Sequence, residues 1–336
     1  MTYHITHTIE PWMPAGALKA KSDYAIIAVA LGWHKLPLMR YNDARFSNET
    51  RLQKISEWLT DVKPKDLVLH QFPTYMSAEF ERQFVHTLKH LNVCRAIVIH
   101  DIEPLRLVKQ DAWEYQILNQ YDFIIVHSKD MKNQLQANGV KAAFIVQPLF
   151  DYLSQPRPTA LFSRNINFAG TFQKSPWLQN YTGPNLTLFG SKPKKWQNID
   201  FSTHINYQGN FDPEEIVNHL TDGYGLIWDS DFDDKTYQTY TRYNTPHKAS
   251  LYLRAGLPLI AWSQSAIGQF IVNHKLGFVI NNLTDLNLKL HAINEAQYQL
   301  WQTNIQIIAD HVGRGDYTKN TLLRLSAYQK DHYLSK

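Results

Sequence analysis

A single cysteine, Cys94, excludes an intrachain disulfide and a cysteine-built zinc site from this 336-residue chain. It lies in the apolar run VCRAIVIH and reads as an inert core residue. Charge is also sparse, at 19% of residues, and nearly balanced, with 34 basic against 30 acidic side chains and a net charge of +4. No concentrated basic face is available for a duplex, so nucleic acid is not expected as a partner. A small basic pocket for a phosphorylated ligand remains open, and membrane contact is at most peripheral. No apolar run approaches the length of a membrane-spanning helix. The start, MTYHITHTIEPW, lacks the basic and apolar regions of a secretory signal, so the expected location is the cytoplasm. The 15 histidines supply no HExxH string and read as unpaired, so no metal is expected from them.

What the chain has is core material: 44% hydrophobic residues, with 9 Trp, 18 Tyr and 16 Phe. Its length points to two domains. Apolar runs alternate with helical patterns throughout. YHITHTI, KLPLMRY, DLVLHQF, RAIVIHD, DFIIVHS and KAAFIVQPLF read as strands separated by helices, such as ETRLQKISEWLTDV and SAEFERQFVHTLKHLN. After Asp151 the segment DYLSQPRPTALFSR, residues 151–164, reads as a linker. A second set follows: INFAG, LTLFG, HINYQG, the helix DPEEIVNHLTD, GYGLIWD, a helix around KASLYLRAG, PLIAW, the helix AIGQFIVNH, and GFVI. Nearly continuous apolar strands alternating with helices imply parallel sheets covered on both faces. The expected fold is α/β and GT-B, two doubly wound Rossmann-like domains facing across a cleft. The expected domains are residues 1–152, which bind the acceptor, and 160–312, which bind a nucleotide sugar, with a terminal helix 316–336 packing back on the first. The linker would let the domains close and exclude water.

The chemistry concentrates in YNTPHKASLYLRAGLPLIAWSQSAIGQFIVNHKLGFVI, from Tyr243 to Ile280. Lys248 stands at a helix start, where the dipole disfavours a cation, so a bound anion or an acidic partner is expected beside it. Tyr243 and Asn244 precede it. Ser265, Ala266 and Ile267 open a second helix, whose amides suit a diphosphate, while Ser265 also suits a simple N-cap. Gln269, one turn inside, is a candidate for the ribose. Gly170 and Thr171 follow a strand directly, where glycine permits close backbone approach, and Lys174 is within reach of a phosphate. In the first half, His100 and Asp101 end a strand, the position suited to acid–base residues. Gln71, Thr74 and Tyr75 are candidates to line an acceptor groove. The acidic run DSDFDD, from Asp229 to Asp234, lacks the glycine and terminal glutamate of a calcium loop and reads as a solvated or acceptor-facing loop.

HQFPTY, IHDIEPLR, NFAGTFQK, YNTPHKASLYLRAGLPLI, SAIGQFI and GFVI together resemble a known group. It comprises bacterial glucosyltransferases that extend GlcNAc on serine-rich-repeat adhesins, and related proteins described as β-1,6-galactofuranosyltransferases. The motifs run from about residue 70 to 280, and PHKxSxYLxAGxPxI is the most specific. The resemblance implies a GT-B fold, a UDP-sugar donor, transfer without a metal or other cofactor, and a homo-oligomer, dimer or tetramer. It implies that Lys248 contacts the diphosphate and that Lys174 stands where adhesin-modifying relatives carry an arginine. It also matches Tyr207 to an aromatic position near the uracil, and His100 and Asp101 to a His-Asp pair. The N-terminal loop PWMPAGALKAK departs from the group's polar loop. The expected function is transfer of a hexose, glucose or N-acetylglucosamine, from a UDP-sugar to a glycan or glycopeptide. Galactofuranosyl transfer for a surface polysaccharide, and a non-catalytic nucleotide-sugar-binding subunit, are the alternatives.

Overall fold

A computed structural model describes residues 1–10, 15–106, 112–229 and 236–334. The chain divides into two units, one made of Met1–Met13, Ala20–Pro148 and Tyr317–Lys336, the other of Pro14–Lys19 and Leu149–Asp316.

The first unit is built on β1 (Tyr3–Ile9), β2 (His34–Met39), β3 (Leu67–Phe72), β4 (Cys94–Ile99), β5 (Phe123–Val126) and β6 (Ala143–Val146). They form one sheet in the order β2-β1-β3-β4-β5-β6, and every pairing is parallel. All six residues of β3 are buried, the polar His70 and Gln71 among them, so DLVLHQF shows no inside–outside alternation. Three of the helices between strands start on serines. Ser47, Ser77 and Ser128 each accept a backbone N–H three residues on, which satisfies one orphan donor of the first turn. Phe80, Phe84 and Leu88, at helical spacing, join Leu36, Leu38 and Val68 in a buried cluster. The terminal helix Asp316–Leu334 packs on this unit: Gln147 donates to Thr318 Oγ1 at 3.3 Å, and Tyr328 stacks on Phe123 at 6.2 Å.

The second unit carries β7 (Leu161–Ala169), β8 (Leu186–Phe189), β9 (Ile205–Gly209), β10 (Asp222–Ile227), β11 (Leu259–Trp262) and β12 (Gly277–Ile280). Its order is β12-β11-β10-β7-β8-β9, again parallel throughout. The chain leaves β7 toward β8 and β9 on one side, then returns to place β10 on the other. The switch point therefore lies between β7 and β10, where open α/β sheets bind ligands beyond the carboxyl ends of their strands. In the first unit the corresponding point lies between β1 and β3.

Two expectations change here. The segment 151–164 is not a free linker, because its first residues are fastened to the second unit and β7 already begins at Leu161. His247 bonds the Asp151 carbonyl at 2.9 Å, and Arg254 grips Ser154 Oγ at 2.9 Å, the Ser154 carbonyl at 2.7 Å and the Ala309 carbonyl at 2.7 Å. The expected helix DPEEIVNHLTD shrinks to a 3-10 turn over Ile216–His219. Pro213 and the start of β10 at Asp222 leave too few residues for a cooperative α-helix.

Candidate functional site: a lysine–aspartate pair at the second switch point

The carboxyl end of β7 is held by a tyrosine. The Ala169 N–H donates to the Tyr252 hydroxyl at 2.7 Å, and that hydroxyl donates to the Leu226 carbonyl of β10 at 3.3 Å. Both strands bordering the switch point are thus fixed by one buried phenol, whose ionisation burial pushes far upward. Gly170 follows at φ +152° and Gly190, after β8, at φ +143°. A Cβ on Gly190 would fall 1.9 Å from the Gly170 carbonyl oxygen, so no other residue fits there.

Lys248 enters from the helix His247–Arg254, in its first turn. Its ammonium donates to Asp229 Oδ1 at 3.1 Å and lies 4.5 Å from the centre of the Phe168 ring. It also sits against the Gly170 backbone, 3.7 Å from where a Cβ would be. The Lys248 side chain is 16% exposed and that of Asp229 18%. The charge is therefore neither lost in bulk water nor sealed inside. It stands over the ends of β7 and β10 with an acidic partner, which is what a cation at a helix start requires.

An aromatic patch borders the same strand ends. Tyr207 of β9, 37% exposed, donates its hydroxyl to the Gly190 carbonyl at 2.9 Å. Its ring meets Phe201 and Phe172 edge-on. The Lys192 ammonium lies 5.4 Å from the centre of the Tyr207 ring and 4.7 Å from that of Phe201. A flat exposed ring beside backbone carbonyls suits a heterocycle.

Other expected donor residues are distributed less tightly. Thr171 is exposed, and Lys174 is half-buried on the 3-10 turn Phe172–Lys174 with no ion pair among the described residues. The amides of Tyr243 and Asn244 both bond the Tyr240 carbonyl, while Asn244 Oδ1 is buried without a hydrogen-bond partner. Ser265 is the N-cap of the helix Ala266–His274, accepting from the Gly268 N–H at 3.0 Å and donating to the Trp262 carbonyl at 2.6 Å. Its own amide and that of Ala266 are taken by the Trp262 and Thr241 carbonyls. Of the three amides expected to meet a diphosphate, only that of Ile267 lacks a partner among the described residues. Gln269 is exposed on the helix surface.

In the first unit, Gln71 and Thr74 correct the acceptor-groove expectation, because both are fully buried and cannot line a groove. Thr74 donates to Glu81 Oε1 at 2.5 Å. Gln71 donates to the carbonyls of Thr6 at 2.8 Å and Lys21 at 3.2 Å, so its Oε1 faces His100 Nε2 at 3.0 Å. That arrangement places the Nε2 proton toward the Gln71 oxygen. Asp101 is half-buried, with the nearest guanidinium, Arg106, 4.0 Å away. Tyr75, at φ +57°, accepts Arg40 Nε on its carbonyl at 3.0 Å, and burial raises its phenol well above the usual range.

Sequence reading missed a charged group at the first switch point. Glu10 directly follows β1 and is buried; Lys21 approaches it at 3.3 Å, Arg40 at 3.7 Å, and the Lys21 ammonium lies 4.9 Å from the Tyr75 ring centre. Burial disfavours the Lys21 ammonium and Glu10 favours it, leaving its pKa below the ordinary lysine range. A polar residue directly after an apolar strand was the available signal. Asp229, read as part of a solvated or acceptor-facing loop, is paired with Lys248 and only 18% exposed. The rest of the acidic run, residues 230–234, and residues 11–14 of PWMPAGALKAK lie outside the described residues. The unpaired reading of the histidines also needs correction. His86 and His90, four apart on the helix Ala78–His90, have their Nε2 atoms 3.1 Å apart on the surface. No group of three or more His, Cys, Asp or Glu side chains among the described residues has metal-binding geometry. No helix among them is long and apolar enough to cross a membrane.

Comparison with known proteins follows the same division. Residues 2–149 match the family model described as glucosyltransferase 3-like, N-terminal domain, and residues 166–325 match the glucosyltransferase 3-like, C-terminal domain. "Glucosyltransferase 3" of Streptococcus gordonii is 27% identical over 318 residues, covering 91% of this chain and 93% of that protein. "Beta-1,6-galactofuranosyltransferase WbbI" of Escherichia coli K12 is 27% identical over 316 residues, covering 91% of each. Among solved structures, Anabaena Alr3699/HepE in complex with UDP superposes with a TM-score of 0.65 at 9% identity, covering 97% of this chain and 100% of that one. That likeness shows the fold, GT-B.

Proposed function

Because the chain belongs to the glucosyltransferase 3-like family, we infer that the Lys248 ammonium receives the diphosphate of a UDP-sugar and that the protein transfers the hexose to a glycan or glycopeptide. It is a UDP-sugar-dependent glycosyltransferase. The observation that carries the site is the Lys248 ammonium, 16% exposed and paired with Asp229, at the switch point of the second sheet. Negative charge grows on UDP as the glycosidic bond to the donor breaks. A fixed ammonium in a partly desolvated place stabilises that charge more than water does. Lys174, unpaired and half-buried on the turn after β7, is assigned to the same diphosphate, and Tyr207 with Lys192 to the uracil. The free amide of Ile267 supplies one further donor at a helix start. Charge neutralisation by lysines is the reading without a metal. His100, oriented by Gln71, and Asp101 are assigned to the acceptor hydroxyl.

The proposed donor sugar is glucose or N-acetylglucosamine, and the proposed acceptor a GlcNAc-modified serine-rich-repeat adhesin. The motif string PHKASLYLRAGLPLI supports this reading, together with the cytoplasm as workplace and a homo-oligomeric assembly. A second reading has equal support from identity: the Escherichia coli galactofuranosyltransferase matches at the same 27% as the streptococcal glucosyltransferase. Saturation-transfer NMR with UDP-glucose, UDP-N-acetylglucosamine and UDP-galactofuranose, followed by transfer to a GlcNAc-peptide, separates the two. Transfer of galactofuranose alone would replace the first reading with the second. A chain that binds no UDP-sugar removes both.

A further inference from the structure

Lys248 meets a carboxylate where a diphosphate is proposed to bind, and this carboxylate has no other hydrogen-bond partner among the described residues. We propose that Asp229 is the counter-charge of the donor site: it neutralises the Lys248 ammonium while the site is empty, and it weakens the grip on UDP so that the product leaves. This rests on the donor-site reading above. Two features give Asp229 a role beyond packing. First, the ammonium already has other supports. It sits over the Phe168 ring at 4.5 Å and against the Gly170 backbone, so the lysine stem is positioned even without an ion pair. Second, both partners are partly open to solvent, at 16% and 18%, so an incoming anion can reach the ammonium. A diphosphate arriving there competes with the carboxylate for the same N–H donors and is repelled by its charge. Asp229 thus tunes affinity through its charge, and it takes no part in bond making or breaking.

The test is titration calorimetry of UDP and of uridine, at one ionic strength because screening alters both effects, on the full chain and its D229N and D229E variants. D229N keeps the acceptor oxygen for Lys248 and removes the charge. It should bind UDP roughly 10-fold more tightly, about 1.4 kcal/mol, with uridine affinity unchanged because uridine brings no phosphate. D229E restores the charge and should bind UDP within about threefold of the parent. Uridine binding reports that each variant is folded at the base subsite. D229N binding UDP no more tightly than the parent overturns the proposal, as does D229E tightening to the same degree. A parent chain that binds neither UDP nor uridine instead removes the donor-site reading itself.

Discussion

Replacing Lys248 with methionine separates binding from folding at the proposed donor site. Methionine keeps an unbranched stem against the Phe168 ring, where a thioether still makes a favourable contact. It deletes the ammonium that lies 3.1 Å from Asp229. The stability loss should be small. The ion pair is partly exposed, at 16% and 18%, and such pairs contribute ~1 kcal/mol or less. For a domain of this size that corresponds to a melting shift of roughly 2–4 °C. The effect on UDP should be larger, because hydrogen bonds to charged groups contribute about 1.5–3 kcal/mol each. One such bond lost from the diphosphate weakens binding roughly 10- to 150-fold. Calorimetric titration with UDP, beside scanning calorimetry of the free protein, measures both quantities. Uridine should bind the variant and the parent equally. UDP affinity within about threefold of the parent, in a variant that melts within a few degrees of it, would refute the assignment of Lys248.

Other substitutions test the framework beneath that site. Tyr252→Phe leaves the Ala169 N–H and the Leu226 carbonyl without their shared partner. It should cost about 1–3 kcal/mol in urea unfolding, and a loss below about 0.5 kcal/mol would show that water or relaxation replaces the phenol. Gly190→Ala drives a methyl to within 1.9 Å of the Gly170 carbonyl. It should lower stability by roughly 2–6 kcal/mol through overlap and strain together and impair UDP binding. Gly209→Ala is the control, since nothing lies within 4 Å of its Cβ position, leaving only the backbone cost of ~1–2 kcal/mol. His247 supplies a pH signature. Its pKa is lowered to about 4 by burial first, with Lys19 adding to the effect and the carbonyls of Asp151 and Gly16 opposing it. The unfolded chain therefore binds the proton first as pH falls. His247 contributes stability that is present in full above pH ~6.5 and is lost between there and pH ~4, at about 1.4 kcal/mol per unit. His247→Gln should flatten the difference curve across that window, and parallel pH profiles for the two proteins would contradict the shift.

Both sheets were readable from the chain because short β-rich segments alternate with helical patterns; the central strand β3 is buried throughout, and YHITHTI and GFVI each became strands. Serine caps marked helix starts for the same local reason, as at Ser77 and Ser265. What stayed hidden was whatever depends on which groups meet across elements. Ala266 opens a helix as expected, yet its amide is spent on Thr241, 25 positions earlier in the chain, and nothing in SQSAIGQF announces that partner. Gln71 and Thr74 looked like edge residues because they flank a strand end. They are buried because Glu81 and the carbonyls of Thr6 and Lys21 need exactly such donors inside the unit, and a hydrophobicity pattern does not register that demand.

Asp229 shows the same limit at the site itself. Read along the chain it opens the acidic run DSDFDD, and an acidic run is ordinarily a solvated loop. Read across the sheet it lies two residues past β10, the neighbour of β7, and Lys248 reaches it from the helix His247–Arg254. The lysine was legible because a cation at a helix start needs an explanation. Its explanation was only half legible, because a bound anion and an acidic partner satisfy the same electrostatic demand. The fold supplies the partner in the empty site. On the proposed function a diphosphate displaces it, and the two answers are then successive occupants of one ammonium rather than rivals. On that proposal, an ammonium without a counter-charge holds UDP more tightly, and tighter binding of the leaving product slows its release without lowering the barrier to transfer.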